Sequence, residues 1–417
     1  MQLDTRRLRS VLARILLILL SAPSVQAQVR AHPKSAQSAE SEQSTVGTQS
    51  SAPKGTRVAT KIGYYRDDDG LDVVTPIVSF TQKIYDTTTL GFIYDADTFT
   101  AATVDVRTHA SKSFSETRHG FGFWGTHRLI DKQLDLSGNL DLSFERDYAS
   151  MTLGAGFSKD LLNKNLTLAG GYSYVANAIG RAGTPIQNYL DTLNIHAFNA
   201  SFTQLLSKYT FINLSGSFIF NDGYQASVYR YVPLFLVGNV EEKDINETNL
   251  LAGIVQPVMR PAERLPKQRS RWAVVARVNH YLPWMMSVAA DYRYYTDTWS
   301  LKSNTLSLKL YIELPHDFEV RLRNRLYGQS AAKYYQRTYV LDSPDSLPEY
   351  YTMDRELGTF SYFMPGIKLS KDFVDIENIE VLTIDWKIDA QYTRYEDFVF
   401  LENRLAWIFQ FGVSVGL

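Results

Sequence analysis

Along most of the chain, apolar and polar residues alternate one for one. From 133 to 145, Leu134, Leu136, Leu140, Leu142 and Phe144 fall on one side, and Asp135, Ser137, Asn139, Asp141 and Glu145 on the other. From 379 to 393, Leu382, Ile384, Trp386, Ile388 and Tyr392 oppose Thr383, Asp385, Lys387, Asp389, Gln391 and Thr393. From 317 to 327, Phe318, Val320, Leu322 and Leu326 oppose Glu319, Arg321, Arg323, Arg325 and Tyr327. The last segment sets Leu405, Trp407, Phe409, Phe411, Val413 and Val415 against Gln410, Gly412, Ser414 and Gly416. Successive side chains of a strand leave opposite faces, so period two predicts strands. Beyond residue 56 no stretch holds the three-and-four spacing of an amphipathic helix over a helical length.

The pattern predicts sixteen strands, at 56–65, 71–82, 87–97, 116–128, 133–145, 149–160, 164–178, 191–205, 209–221, 270–281, 284–296, 299–313, 317–329, 356–371, 379–394 and 403–417. The segment 229–237 and the first hairpin leave fourteen or eighteen open. A soluble sandwich alternates too. These strands, however, run about 11 to 14 residues, against about five or six in soluble sheets and the roughly 9–11 that a tilted strand needs to cross a bilayer. Connections alternate between short (83–86, 129–132, 161–163, 206–208, 282–283, 314–316, 372–378) and long (98–115, 179–190, 222–269, 330–355, 395–402). Bacterial outer-membrane barrels show this asymmetry, with the short side periplasmic. Trp284, Tyr292, Tyr294, Trp299 and Tyr311 gather near strand ends, where interface girdles would lie. The expected fold is therefore all-β: a transmembrane, antiparallel, up-and-down barrel over 56–417 with both termini periplasmic in a Gram-negative outer membrane.

The start of the chain fits export. Arg6, Arg7 and Arg9 precede an apolar run from Val11 to Leu20, and Ser24-Val25-Gln26-Ala27 offers small residues at cleavage offsets. Residues 1–27 are expected to be a removable signal. The Ser-, Gln-, Ala- and Pro-rich stretch 28–55 reads as a periplasmic linker that cannot bury enough surface to order itself.

Five segments, taken in order, resemble a known family. They are Ser115-Glu116-Thr117-Arg118-His119; Arg146-Asp147-Tyr148; Asn221-Asp222-Gly223-Tyr224 with Tyr229-Arg230-Tyr231-Val232; Asp291-Tyr292-Arg293-Tyr294-Tyr295; and Gln329-Ser330-Ala331-Ala332 with Tyr334-Tyr335. The family is an uncharacterised, domain-of-unknown-function family of Gram-negative outer-membrane barrels, and the likeness covers nearly all of 56–417. It implies the fold and the location but no activity. One departure is visible: relatives tend to have Glu-Arg-His-Pro where this chain has Glu263-Arg264-Leu265-Pro266.

Charge and composition narrow the function. With 43 Lys and Arg against 44 Asp and Glu the net charge is −1, which excludes a nucleic-acid binder working by overall field. The 0 Cys leave no disulfide, thiolate metal site or cysteine nucleophile. The lumen face is where polar chemistry is free of membrane cost. Inward positions expected to line a pore are Lys309, Glu319, Arg321, Arg323, Arg325, Asp291, Arg293, Asp385, Lys387, Asp389, Asp135 and Asp141, with Glu313, Lys368 and Glu145 nearby. A basic wall facing an acidic one would orient charged solutes; the alternative is that the charges pair across neighbouring strands and brace the lumen. The hairpin residues Asp67, Asp68, Asp69 and Asp72 with Gly70 are a calcium candidate, although further acidic ligands of an EF-hand are missing; a solvated tip is the alternative. The seven His are scattered, and none lies near a Ser–Asp pair in sequence. No P-loop or dinucleotide turn occurs, and Gly154, Gly156, Gly170 and Gly171 sit in strands, where they are expected to relieve crowding in the barrel.

The leading expectation is a channel for small hydrophilic or charged solutes, with no cofactor and no enzyme activity. Its partners are outer-membrane lipid, the barrel-assembly machinery, small solutes and a periplasmic partner reached through 28–55. The alternative is a non-conducting scaffold or conduit sheath for periplasmic or extracellular partners.

Overall fold

The computed structural model describes residues 55–101, 114–180, 191–374 and 376–417. The expected signal, and the linker apart from Gly55, lie outside the described residues. Sixteen antiparallel strands close into a barrel: β1 (Thr56–Asp67), β2 (Leu71–Ile84), β3 (Thr88–Ala101), β4 (Phe114–Leu129), β5 (Leu134–Phe144), β6 (Tyr148–Leu161), β7 (Leu166–Ile179), β8 (Asp191–Ser207), β9 (Thr210–Gly223), β11 (Gln268–Leu282), β12 (Met286–Asp297), β13 (Lys302–Leu314), β14 (Phe318–Gln329), β16 (Phe360–Phe373), β17 (Val381–Tyr395) and β18 (Asn403–Gly416). Two short strands, β10 (Leu234–Leu236) and β15 (Tyr339–Leu341), pair with each other outside the wall. The ambiguous segment 229–237 thus adds no barrel strand. β1 pairs with β18 from Arg57↔Gly416 to Asp67↔Ala406, which removes both sheet edges.

The alternation decides which face is which. In β13 and β17 burial itself alternates residue by residue: Ser303, Thr305, Ser307, Lys309 and Tyr311 are buried, while Leu306 and Leu308 between them are exposed. Outward positions carry the large apolar residues, including Leu90, Phe123, Leu153, Phe202, Leu214, Leu326, Trp386 and Phe411, all exposed. Two aromatic zones flank that belt. One lies at the short turns, with Tyr85, Trp284 and the stacked Tyr209 and Tyr281. The other lies a few residues below the long loops, with Tyr172, His196, Trp272, Tyr292 and Tyr392. Two of the expected girdle residues sit elsewhere. Trp299 is 2% exposed, packed beneath loops against Leu265, Leu301 and Tyr335, and Tyr311 faces inward. Gly170 also differs from expectation, facing outward beside the Phe157 ring, whereas Gly154 and Gly156 face inward toward Asn139 and Ser137.

The long loops fold over the far end of the lumen. The β9–β11 and β14–β16 connections are knitted by the β10–β15 pair and by an Arg264–Tyr351 bridge. Around them Val232, Phe235, Ile245, Leu250, Met353, Phe398 and Phe400 form an apolar core that plugs this end. At the opposite end the first and last barrel strands meet, Thr56 N donating to Leu417 O at 3.1 Å.

Candidate functional site

Beneath the plug, inward side chains from both sides of the barrel enclose a chamber of about 380 Å³. One wall comes from β3, β4 and the tight β5–β6 turn. The turn folds because Glu145 N donates to Tyr148 O at 2.7 Å, and Arg146 N ties it to Glu116 Oε1 on β4 at 3.3 Å. Carboxylate oxygens of Glu116, Glu145 and Asp147 consequently converge within 4.8 Å of one another. Arg118, on the same wall, is bonded to Asp95 at 2.7 Å and to Asp97. Five carboxylates are thus gathered on this wall around Arg118.

The facing wall comes from β11 and β12, beyond β7, β8 and β9. Arg269, Arg271 and Arg293 reach the chamber from it, with Tyr295 between them in register. Arg269 is spent on Asp297 and lies 4.0 Å over the Trp299 ring. Arg271 Nη2 donates to Asn221 Oδ1 at 2.8 Å, while its buried Nε has no hydrogen-bond partner among the described residues. Arg293 lies over Tyr295 at 5.7 Å. Neither Arg271 nor Arg293 has a carboxylate within 4.0 Å among the described residues, so this wall keeps unneutralised positive charge.

The ceiling is the plug. Leu265, Leu357, Asp354 and Glu356 reach the chamber from the loops. Asp354 is engaged by Arg230, which also lies 3.7 Å from the buried Glu263. Glu263 accepts from Ser227 N and from Thr352 Oγ1, the latter at 2.7 Å. Burial raises the Glu263 carboxyl above its ordinary value: Arg230 opposes the shift, and Asp354 adds to it. Leu265, the residue standing where relatives tend to have His, closes over Trp299 as part of an apolar cluster.

Most residues singled out from sequence lie below this chamber. Lys309, Arg323, Asp385, Lys387, Asp389 and Asp141 face inward but are buried, and the strand register brings opposite charges together. Arg323 meets Asp389 at 2.6 Å, Lys387 meets the same carboxylate at 3.2 Å, and Lys368 meets Asp385 at 3.5 Å. Asp291 holds Arg277, with Lys309 at 3.6 Å. Arg325 Nε donates to Ser307 Oγ at 3.2 Å, and Arg321 lies over the Tyr311 ring at 5.7 Å. Glu319 stands in register with Glu313. Asp135 takes Arg128 at 2.7 Å, and Asp141 accepts from Asn139 at 2.8 Å. Gly366 makes this network fit: a Cβ there would collide with Asp389 Oδ1. Long charged residues thus brace the β11–β18 side. Access in this half remains along β5–β8, where Ser137 and Asn199 are exposed.

Of the residues chosen for lumen chemistry, only Arg293 and Glu145 line the chamber. Further lining residues come from the resembling segments, namely Glu116, Arg118, Asp147, Tyr148, Asn221, Tyr224, Tyr229, Tyr295 and Gln329, whereas Arg269 and Arg271 come from neither source. These segments, far apart in sequence, meet in one place.

The calcium candidate dissolves into separate contacts. Asp69 pairs with Arg355 at 2.6 Å, Asp67 takes the Tyr65 hydroxyl at 2.9 Å, Asp72 takes the Tyr64 hydroxyl at 2.7 Å, and Asp68 accepts from Leu405 N at 3.0 Å. The four carboxylates do not converge. His119, His127, His196 and His280 bond hydroxyls of neighbouring strands on the outer face, and His316 sits in a turn, so no described His faces the lumen.

A closed antiparallel barrel, apolar outside and charge-lined within, is the architecture of a transmembrane β-barrel. Residues 106–397 match the family described as Protein of unknown function (DUF3570), and the chain belongs to that family. No curated protein matches the sequence. Similar solved structures include a bacterial polysaccharide outer membrane secretin, at 9% identity and TM-score 0.49 over 88% of this chain and 99% of that one. OccD3 (OpdP) of Pseudomonas aeruginosa is 9% identical, TM-score 0.42, over 95% and 99%. The CymD monoaromatic hydrocarbon channel is 10% identical, TM-score 0.39, over 88% and 89%. With scores below 0.5, the fold assignment rests on the closed strand order itself.

Proposed function

We propose that this chain spans the bacterial outer membrane and passes small charged solutes through its interior chamber. The apolar exterior supports the location. Ten residues separate Trp284 in the short-turn zone from Tyr294 in the upper zone. At a rise of about 3.3 Å and a tilt of about 40°, that spacing spans roughly 25 Å, the height of an outer-membrane apolar band. The short-turn end, where the barrel wall begins at Thr56 and ends at Gly416, would face the periplasm.

The observation that carries the passage reading is the pair of oppositely charged walls around one chamber, Glu116, Glu145 and Asp147 facing Arg271 and Arg293. Such walls set a transverse field in a space of low dielectric, which orients a dipolar solute and disfavours an uncharged one. Planar-bilayer recording of the purified barrel tests this: discrete conductance steps are expected. Their absence under all voltages would leave the second reading, a non-conducting scaffold. The apolar plug and the ion-paired lower lumen favour that alternative.

A further inference from the structure

We infer that the chamber binds a small aromatic carboxylate, its carboxylate on Arg293 and its ring among the tyrosines; this deepens the passage reading and rests on it. Arg293 reaches the chamber from β12 and is half-buried. Its cross-strand neighbours are Val275 and Thr305, neither of which carries a charge. The acids on its own strand are taken: Asp291 holds Arg277, with Lys309 at 3.6 Å, and Asp297 holds Arg269. From the plug, Glu356 stands 3.7 Å from Arg355. Among the described residues Arg293 consequently has no hydrogen bond and no ion pair; it lies over the Tyr295 ring at 5.7 Å. That position occupies the flat face of the guanidinium and leaves its in-plane N–H donors, which match a carboxylate as a two-pronged fork. A bound carboxylate offsets the cost of holding this charge half out of water.

The rest of the lining fits the body of such a ligand. Tyr148, Tyr295 and Tyr327 line the chamber, yet their hydroxyls are engaged, donating to Asn177 Oδ1 at 2.6 Å, Asp297 Oδ2 at 2.8 Å and Gln329 Oε1 at 2.6 Å. What they offer the chamber is ring surface, to which Phe99 and Leu193 add. Aromatic rings favour an offset or edge-on partner ring. A largely apolar lining with a few placed charges is the ordinary make-up of a small-molecule site, and about 380 Å³ lies in its size range. A sugar would need hydroxyls that these tyrosines have already committed. An acetate-sized anion would satisfy Arg293 and leave the rings uncovered. Glu116, Glu145 and Asp147 stand across the chamber, on β4 and the β5–β6 turn, so a carboxylate on Arg293 is seated away from them.

The test uses three radiolabelled probes, benzoate, benzamide and acetate, in equilibrium dialysis at neutral pH against the detergent-solubilised full-length barrel, with uptake by empty micelles subtracted. Benzoate should bind at least about ten-fold more tightly than benzamide, which lacks the charge, because a hydrogen bond to a charged group exceeds the roughly 1.4 kcal/mol of a ten-fold change. It should exceed acetate, which lacks the ring, by at least about ten-fold as well, since burying a ring is worth as much. Arg293→Gln should lower benzoate to the affinity of benzamide and leave benzamide unchanged. Arg293→Lys, which keeps the charge and loses the fork, should fall between. Heat-modifiable migration confirms that each variant has folded, and the comparison of probes on the wild type stands without either variant. Equal binding of benzoate and acetate would overturn the inference in favour of a plain anion site. Equal binding of benzoate and benzamide would leave an apolar pocket in which Arg293 plays no part. Undiminished benzoate binding by Arg293→Gln would seat the carboxylate elsewhere, and no saturable binding at millimolar benzoate would overturn the inference outright. Conductance on the same preparation separates the two claims: conduction without benzoate binding defeats the carboxylate site alone, and binding without conduction defeats the passage reading alone.

Discussion

Arg355 Nη1 stands 2.6 Å from Asp69 Oδ2 with both side chains almost wholly buried, and so the β14–β16 loop is latched to the β1–β2 hairpin on the barrel rim. These residues are 286 positions apart in sequence. The loop is thereby held over the chamber, which receives Asp354, Glu356 and Leu357 from the same segment.

Asp69→Asn should release the latch. The substitution breaks a buried ion pair, which costs about 3–5 kcal/mol, and leaves Arg355 with Glu356 at 3.7 Å. Limited trypsin digestion should then cut the 330–359 loop, at sites such as Arg337, while the barrel keeps its heat-modifiable migration. Wild-type resistance retained in the variant would show that the latch is not what holds the plug.

Arg323, in the arginine stripe of β14, is held in a buried ion pair with Asp389. Arg323→Gln leaves Asp389 buried with Lys387 alone, and the loss expected for breaking a buried pair is about 3 kcal/mol. Lys302→Gln, at an exposed position of β13, should stay within about 0.5 kcal/mol. Urea unfolding from detergent or lipid vesicles measures both. An Arg323 variant as stable as the wild type would turn the stripe back into a candidate ion path.

Leu308 is 50% exposed on the outer face, in the middle of β13. Arg there costs roughly 2–4 kcal/mol at the bilayer midplane. Leu308→Arg should lower the yield of assembled barrel, whereas Asn199→Arg, at an exposed inward position, should assemble normally. Equal yields would contradict the assignment of faces.

The plug should also respond to pH. Glu263 has a carboxyl raised by burial, so the folded plug holds its proton more tightly than the open loop does. The contribution of this proton to plug stability is complete below the ordinary carboxylate value and is lost as pH rises through the raised value. Hydrogen exchange of the 224–267 loop, corrected for intrinsic rates, should show weaker protection on the high-pH side of that window. Glu263→Gln mimics the protonated acid and should flatten the dependence. A variant with the wild-type profile would assign the titration elsewhere.

The alternation around Leu136, Leu308, Ile384 and Phe411 was enough to read sixteen strands, their faces and the order of short and long connections. That information is local: a pleated strand sends neighbours to opposite sides whatever it pairs with, and short turns announce which strands are adjacent. Inward charge at Arg323 and Asp389 was legible for the same reason. Their partnership was not, because it depends on the stagger between β14, β16 and β17 across 66 positions of sequence. Trp299 misled because an aromatic residue at a strand end looks the same whether a bilayer interface or a folded loop covers it. The Asp67–Asp72 cluster misled because carboxylates adjacent in sequence diverge once Arg355 and Leu405 N arrive from elsewhere. The sequence by itself determined the barrel, since period two and turn length are properties of neighbouring residues. Only closure of the wall decided the chamber, by bringing Glu116, Asp147, Arg271 and Arg293 around one space, because contacts between distant strands exist only after every intervening pair has taken its register.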